Sequence, residues 1–154
     1  MPIQVSIIIC SYNRSSYIGE ALDSLYRQSS GLDVFEVIVV DNNSTDDTEQ
    51  VYTTWREANL AGSFAYTTEM RQGASYARNN GAVIAKGDWL CFMDDDAVAT
   101  PNYVENILKH IQNKPDAVGF GGRIIPKYIP SEPKWMSYYV SSLVGNFDYA
   151  PTAC

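Results

Sequence analysis

Apolar and polar positions along the chain alternate in blocks. Val5 to Cys10 is a continuous, mostly β-branched run. Unbroken apolar character, without a period of two, marks a strand covered on both faces, as in a parallel sheet. The run breaks at Ser11-Tyr12-Asn13-Arg14. Ser15 or Ser16 then caps a predicted helix to about Gln28, with Ile18, Leu22, Leu25 and Tyr26 on one face. Phe35 to Val40 repeats the buried-strand pattern and stops at the polar residues 41–48. Ser44, Thr45 or Asp46 caps the next helix there, which runs to about Ala58 with Val51, Tyr52 and Trp55 inward. A weaker strand is predicted near Ser63 to Thr67.

Residues 71–85 are rich in small side chains and predict a helix packed tightly on a sheet. Gly81 permits a close approach, and Gly87 is the expected left-handed stop. Trp89 to Met93 is a fourth strand that ends in Asp94-Asp95-Asp96. Thr100-Pro101 reads as a cap and a first helical residue, ahead of an apolar stripe of Tyr103, Val104, Ile107, Leu108 and Ile111. Asp116 to Ile125 is predicted as a last strand, weakened by three glycines.

This alternation predicts an α/β fold, a Rossmann-like three-layer α/β/α sandwich around a mostly parallel sheet with right-handed crossovers; if its order is 3-2-1-4, the first and fourth strands are neighbours. Residues 1–125 form the expected α/β domain. Residues 126–154 form a Pro- and aromatic-rich arm, in which Pro126, Pro130 and Pro133 break regular structure and Trp135 to Phe147 shows no clean period.

Composition narrows the classes. The 154 residues are 45% hydrophobic and 19% charged, a globular balance for one domain. A net charge of −7 argues against a general nucleic-acid binder. Cys10, Cys91 and Cys154 have neither metal spacing nor a disulfide framework, so the first two read as buried small apolar residues in a reducing compartment. The start Met1-Pro2-Ile3-Gln4 has no basic signal region, and no run is long enough to span a bilayer. The expected location is the cytoplasm, with the cytoplasmic face of the membrane as the alternative.

Three adjacent carboxylates at a strand end repel one another too strongly for ordinary core. They are either a solvated acidic loop or a site for a hard cation, which takes carboxylate oxygens and keeps positions open for phosphate or water. Open α/β sheets collect ligands at the carboxyl ends of their strands. Asn13 and Arg14 follow the first strand, Asp41 the second and Asp94 to Asp96 the fourth. Three polar breaks converging on one edge favour a site.

The segments Ser11-Tyr12-Asn13-Arg14, Val40-Asp41 through Thr48, Gly73 through Asn79 with Gly87-Asp88, and Asp94-Asp95-Asp96 together resemble the nucleotide-sugar part of family-two glycosyltransferases with the GT-A fold. The resemblance covers about residues 3–125. It implies a nucleoside-diphosphate sugar donor and a Mn²⁺ or Mg²⁺ ion, with inverting transfer to a hydroxyl of a saccharide or lipid-linked acceptor in polysaccharide or glycoconjugate synthesis. By the same resemblance, Asp96 is the principal metal ligand. Asp94 and Asp95 contact the ribose or support the metal's water shell, so Asp94 belongs to both groups. Asp41 accepts the base's ring N–H, Ser11, Tyr12 and Asn13 line the base, and Arg78 reaches the nucleotide.

The chain departs from the family pattern after Asp41, where Asn42 and Asn43 stand in place of an acidic residue and a glycine. Uridine is the favoured base, with thymidine and guanosine as alternatives. The family's catalytic base is expected beyond Cys154, with the acceptor-side half missing. An incomplete half would expose a sheet edge and apolar surface, so self-association, or compensation by the aromatic arm after Trp135, is expected; peripheral membrane association is a separate alternative. A module that binds nucleotide and metal without turnover is the second reading. Asp94-Asp95-Asp96-Ala97-Val98 also fits a phosphatase nucleophile pattern, but it follows the fourth strand where that fold uses the first. A sugar-phosphate nucleotidyltransferase would want a Gly- and Arg-rich first loop, which Ser11 to Arg14 does not provide.

Overall fold

The computed structural model describes residues 2–129 and 131–137. The elements are β1 (Val5–Ser11), α1 (Ile18–Tyr26), β2 (Phe35–Asp41), α2 (Thr48–Ala58), β3 (Ser63–Thr68), α3 (Ala74–Ile84), β4 (Trp89–Asp94) and α4 (Tyr103–Asn113). All four strands pair in parallel, in the order β3-β2-β1-β4. The unbroken apolar runs account for this arrangement. Ile7, Ile8 and Ile9 of β1 and Val37, Ile38, Val39 and Val40 of β2 are all buried, as a strand covered on both faces requires.

Helices cover the two faces. Ile18, Ala21, Leu22 and Leu25 of α1, Tyr52 of α2, and Val104 and Ile107 of α4 pack with Ile7, Ile9, Val37, Val39 and Met93. On the other face, Ala77 of α3 packs with Ile8, Ile38 and Val40. The second layer is thinner because α3 offers few large side chains. Beside it, Leu90 and Phe92 of β4 remain 43% and 48% exposed.

Two glycines set close approaches. A Cβ at Gly81 would lie 3.1 Å from Val40 Cγ2 and would overlap Ile8 Cγ2, so α3 lies unusually close to the sheet. Gly87 is not a left-handed helix stop. The chain leaves α3 through Ala85 in an extended conformation, and a Cβ at Gly87 would meet the backbone N of Ser6 and C of Val5 at 2.7 Å. The α3–β4 connection presses on β1 there. It is held by the buried Glu36, whose Oε1 accepts from the Ser6 hydroxyl and the Lys86 N–H, while Gly87 N–H donates to Ser6 Oγ.

The expected caps are partly replaced. Neither Ser15 nor Ser16 caps α1; Tyr17 precedes it with no side-chain cap, and the Arg14 carbonyl accepts the Tyr17 and Ile18 N–H groups. Asp46 does serve α2, by accepting the Thr48 N–H. At α4 the Thr100 hydroxyl turns to Asn102, and the buried Gln28 accepts the Val104 N–H instead. Gln28 also donates to the Thr100 carbonyl, which ties α4 to the end of α1.

The chain divides into two compact units, residues 1–113 and 114–154. Within the second, the strand predicted over 116–125 does not form, apart from an isolated bridge at Ile124. Gly119, Gly121 and Gly122 have nothing within 4 Å of a would-be Cβ, so that stretch has few side chains to pack and pays the full glycine entropy. Most of the aromatic arm from Trp135 to Phe147 lies outside the described residues. Among the described residues no helix is long and apolar enough to cross a membrane.

Gly87→Ala should lower stability by about 1–3 kcal/mol, because the methyl meets backbone that cannot swing aside. Gly19→Ala should be neutral or stabilising by up to about 1 kcal/mol, since its Cβ meets only Val51 at 3.9 Å. Urea denaturation of both variants checks the pair; equal effects would contradict this account of Gly87.

Candidate active site at the carboxyl edge of the sheet

Parallel register brings the polar strand ends level. Ser11 lies opposite Asp41, Asp41 opposite Thr68, and Cys10 opposite Asp94. Behind Asp41 the chain turns through Asn43 in the left-handed region (φ 62°), and behind Ser11 it turns through Asn13 (φ 53°). Asparagine tolerates both conformations.

The loops after β1 and β2 are laced together. Asn13 N–H donates to Ser44 Oγ, Thr45 N–H donates to Asn13 Oδ1, and Arg14 N–H donates to Thr48 Oγ1. Asp46 accepts from the Ser15 N–H and from the Thr48 hydroxyl and N–H. The Thr48 hydroxyl is the main cause that lowers the Asp46 carboxyl to about 2. Asn13 is therefore a loop brace as well as an exposed residue at the edge.

Asp41 is 5% exposed. Its Oδ1 accepts from the Ser44 N–H at 2.9 Å and its Oδ2 from the Tyr66 hydroxyl at 2.6 Å. Burial, then the bond to Asp41, pushes the Tyr66 phenol well above the usual range, so Tyr66 remains a donor. An ionised carboxylate has about four acceptor positions, so these two bonds do not exhaust Asp41.

The acidic run divides by burial. Asp94 and Asp96 are exposed, whereas Asp95 is buried. The Asp94 carbonyl accepts the Ala97 N–H, closing a turn around Asp95 and Asp96. Asp95 Oδ2 accepts from the Ser11 hydroxyl at 2.7 Å, and Arg14 Nε stands 4.0 Å from Oδ1. Burial raises the Asp95 carboxyl, Ser11 and Arg14 oppose that rise, and Asp96 and Asp94 add to it. Among the described residues no three His, Cys, Asp or Glu side chains converge as a metal cage.

Arg78 projects from α3 and is exposed. Among the described residues it makes no ion pair with Asp41 or with the acidic run, the structural role its charge would otherwise suggest. Arg78, Asp95 and Asp94 all act electrostatically on the half-buried Cys10 thiol; burial raises that thiol, Arg78 lowers it and the two aspartates raise it. The first, second and fourth strand ends and α3 therefore gather around one surface. Tyr12 is about half exposed there.

Four contributors were not visible as such in the sequence. Tyr66 pairs with Asp41 across β2 and β3. Asn42, Glu69 and Arg71 organise the turn into α3. Glu69 accepts Arg71 Nε at 2.8 Å and Nη2 at 2.9 Å, and these bonds hold its carboxyl down to about 2. The signal that was available is the polar end of the third strand, Tyr66 to Glu69, level with Asp41.

The model of glycosyl transferase family 2 matches residues 6–150. The chain belongs to this family. Among relatives of the family-2 chain is a glucosyl-dolichyl phosphate glucuronosyltransferase of Haloferax volcanii, 26% identical over 93% of this chain and 45% of the relative. An uncharacterized glycosyltransferase of Haemophilus influenzae is 40% identical over 73% and 36%, respectively. A mannosyltransferase from Pyrobaculum calidifontis, solved with GDP-Man and Mn²⁺, superposes with a TM-score of 0.67 at 30% identity, covering 72% of this chain and 34% of that one. S. aureus TarS 1-349 in complex with UDP superposes with a TM-score of 0.67 at 27% identity, covering 81% and 38%. The chain thus spans less than half the length of these relatives.

Acid titration should show the lacing. The folded carboxyls of Asp46 and Glu69, at about 2, lie below their ordinary values of 3.8 and 4.5. The unfolded chain therefore binds more protons between those limits. Their stabilisation should be complete above about pH 4.5 and lost as pH falls towards 2. Denaturant midpoints at pH 6, 4, 3 and 2 check this; a D46N/E69Q double variant should lose part of the slope, and an unchanged slope would contradict the assignment.

Proposed function

We propose that this chain carries the donor-binding part of an inverting glycosyltransferase that moves a sugar from a nucleoside diphosphate, UDP-sugars favoured, to a saccharide or lipid-linked hydroxyl in glycoconjugate synthesis. The observation that carries the reading is the gathering of the Ser11–Arg14 loop, Asp41, Arg78 and Asp94–Asp96 at one sheet edge in a family-2 chain. The neighbours solved with GDP-Man and with UDP support a nucleotide donor.

Each residue has a role that its surroundings suit. Asp41, held by Tyr66 and Ser44, keeps acceptor capacity for a ring N–H of the base. Tyr12 offers an exposed ring face for stacking, and Ser11 and Asn13 shape the loop beside it. Arg78, exposed and without an acidic partner among the described residues, is available to the diphosphate. Asp95, buried on Ser11, fixes the turn that presents Asp94 and Asp96.

Asp96, with Asp94 beside it, would hold Mn²⁺ or Mg²⁺. The donor set fits a hard cation, because Mg²⁺-like ions use one or two carboxylates and complete their shells with water and substrate phosphates. That suits two exposed carboxylates better than a closed cage. When bound, the ion neutralises diphosphate charge as the sugar bond breaks. No residue here is assigned as the base that takes the acceptor hydroxyl's proton.

A thermal-shift panel of UDP, GDP and dTDP, each with and without Mn²⁺, tests the reading. One nucleotide should stabilise the protein only when metal is present, by about 2.7 kcal/mol at a hundred times its Kd. Asp96→Ala should remove the metal dependence. Stabilisation by none of the three would sink the proposal. Nucleoside diphosphate release from a donor sugar then separates turnover from binding alone.

A further inference from the structure

Asn42 immediately follows β2 and is 5% exposed. Its side chain meets three backbone groups. Nδ2 donates to the Glu69 carbonyl at 2.9 Å and to the Arg71 carbonyl at 2.7 Å, and Oδ1 accepts the Gly73 N–H at 2.7 Å. Its main chain adds two more bonds. The N–H donates to the Ser11 carbonyl at 2.8 Å, and the carbonyl accepts Gln72 Nε2 at 2.6 Å. One residue therefore joins the ends of β1, β2 and β3 to the start of α3.

The three side-chain partners demand an amide. Two are acceptors and one is a donor, and only a group carrying both N–H and C=O satisfies all three. An ionised carboxylate would place negative charge against two carbonyl oxygens. An apolar side chain would leave the three groups unpaired. The departure from the acidic pattern at this position thus has a local physical cause.

The bond to Gly73 links this hub to the donor site. Gly73 is the N-cap of α3 and sits at φ 136°, a conformation that favours glycine. Its carbonyl accepts the Tyr76 and Ala77 N–H groups, which set the first turn of the helix. Arg78 follows directly on that turn. We infer that Asn42 is a positioning residue that fixes residues 69–73 and the first turn of α3, so that Arg78 is held ready for the donor's diphosphate. This role rests on the donor-binding reading above. Asn42 acts through Arg78 and does not itself touch the donor.

The test is a double-mutant cycle on nucleotide binding with Mn²⁺, using N42D, R78A and the combined variant. Calorimetry measures Kd for whichever of UDP, GDP and dTDP the wild type binds, at pH 8 and pH 5.5. At pH 8, N42D should weaken binding by about tenfold, as expected for lost buried hydrogen bonds. It should cost far less in the R78A background, because the effect passes through Arg78. Relative to wild type, N42D should recover in part at pH 5.5, because burial against two carbonyl oxygens raises the introduced carboxyl and its protonated form regains one O–H donor; N42A should not. Circular dichroism of each variant at both pH values must show a folded protein, because protonation would also relieve a folding defect caused by the buried charge. Wild-type affinity in N42D at pH 8, or losses that simply add to those of R78A, would overturn the role while leaving the donor reading intact. A wild type that binds none of the nucleotides would overturn both.

Discussion

The register of β1 between its two neighbours is the constraint on which the candidate site depends. Ser11 stands level with Asp41 on one side, and Cys10 stands level with Asp94 on the other. In a parallel sheet, a slip of one residue would turn every buried side chain of β1 to the opposite layer. Ile7 and Ile9 face the layer of α1, α2 and α4, while Ile8 faces α3. The core therefore locks the register, and the register places the polar strand ends on one edge. Packing and function are coupled through a strand that itself carries almost no chemistry.

Satisfying buried polar groups is the second constraint. Asp41, Asn42, Asp95, Glu36 and Glu69 are all buried. Each is paired: Asp41 by Tyr66, Asn42 by the turn into α3, Asp95 by Ser11, Glu36 by Ser6 and Lys86, and Glu69 by Arg71. A buried polar group left unpaired costs about 1–3 kcal/mol. These pairs therefore make the loops rigid as well as polar. Asp94, Asp96 and Arg78 are left exposed within that frame, which is what a charged ligand requires.

Much of this was legible in the sequence, and the reasons are specific. Val5–Cys10 and Phe35–Val40 declared buried parallel strands by their unbroken, mostly β-branched character, and the order 3-2-1-4, weighed only as a condition, is the one the structure has. The convergence of Ser11–Arg14, Asp41 and Asp94–Asp96 required only that order. What was not legible depends on partners distant in the chain. Nothing local told that Gln28 would cap α4, that Tyr66 would hold Asp41, or that Gly87 would press on Ser6 instead of ending a helix. The 116–125 stretch misled because its apolar residues suggested a strand, while its glycines removed the side chains that would have held one. Asn42 was visible as a departure from a pattern, but only its three partners explain it.

A nucleoside diphosphate should bind where the first, second and fourth strands end. Backbone amide chemical shifts, recorded on adding the best-binding nucleotide with Mg²⁺, test it most directly. Residues 11–14, 41–45, 73–78 and 94–97 should move together and saturate with one Kd. Lys86 and Gly87, at the opposite edge of the sheet, should stay fixed. Saturable shifts centred on the opposite edge, or none at the three strand ends, would contradict the claim.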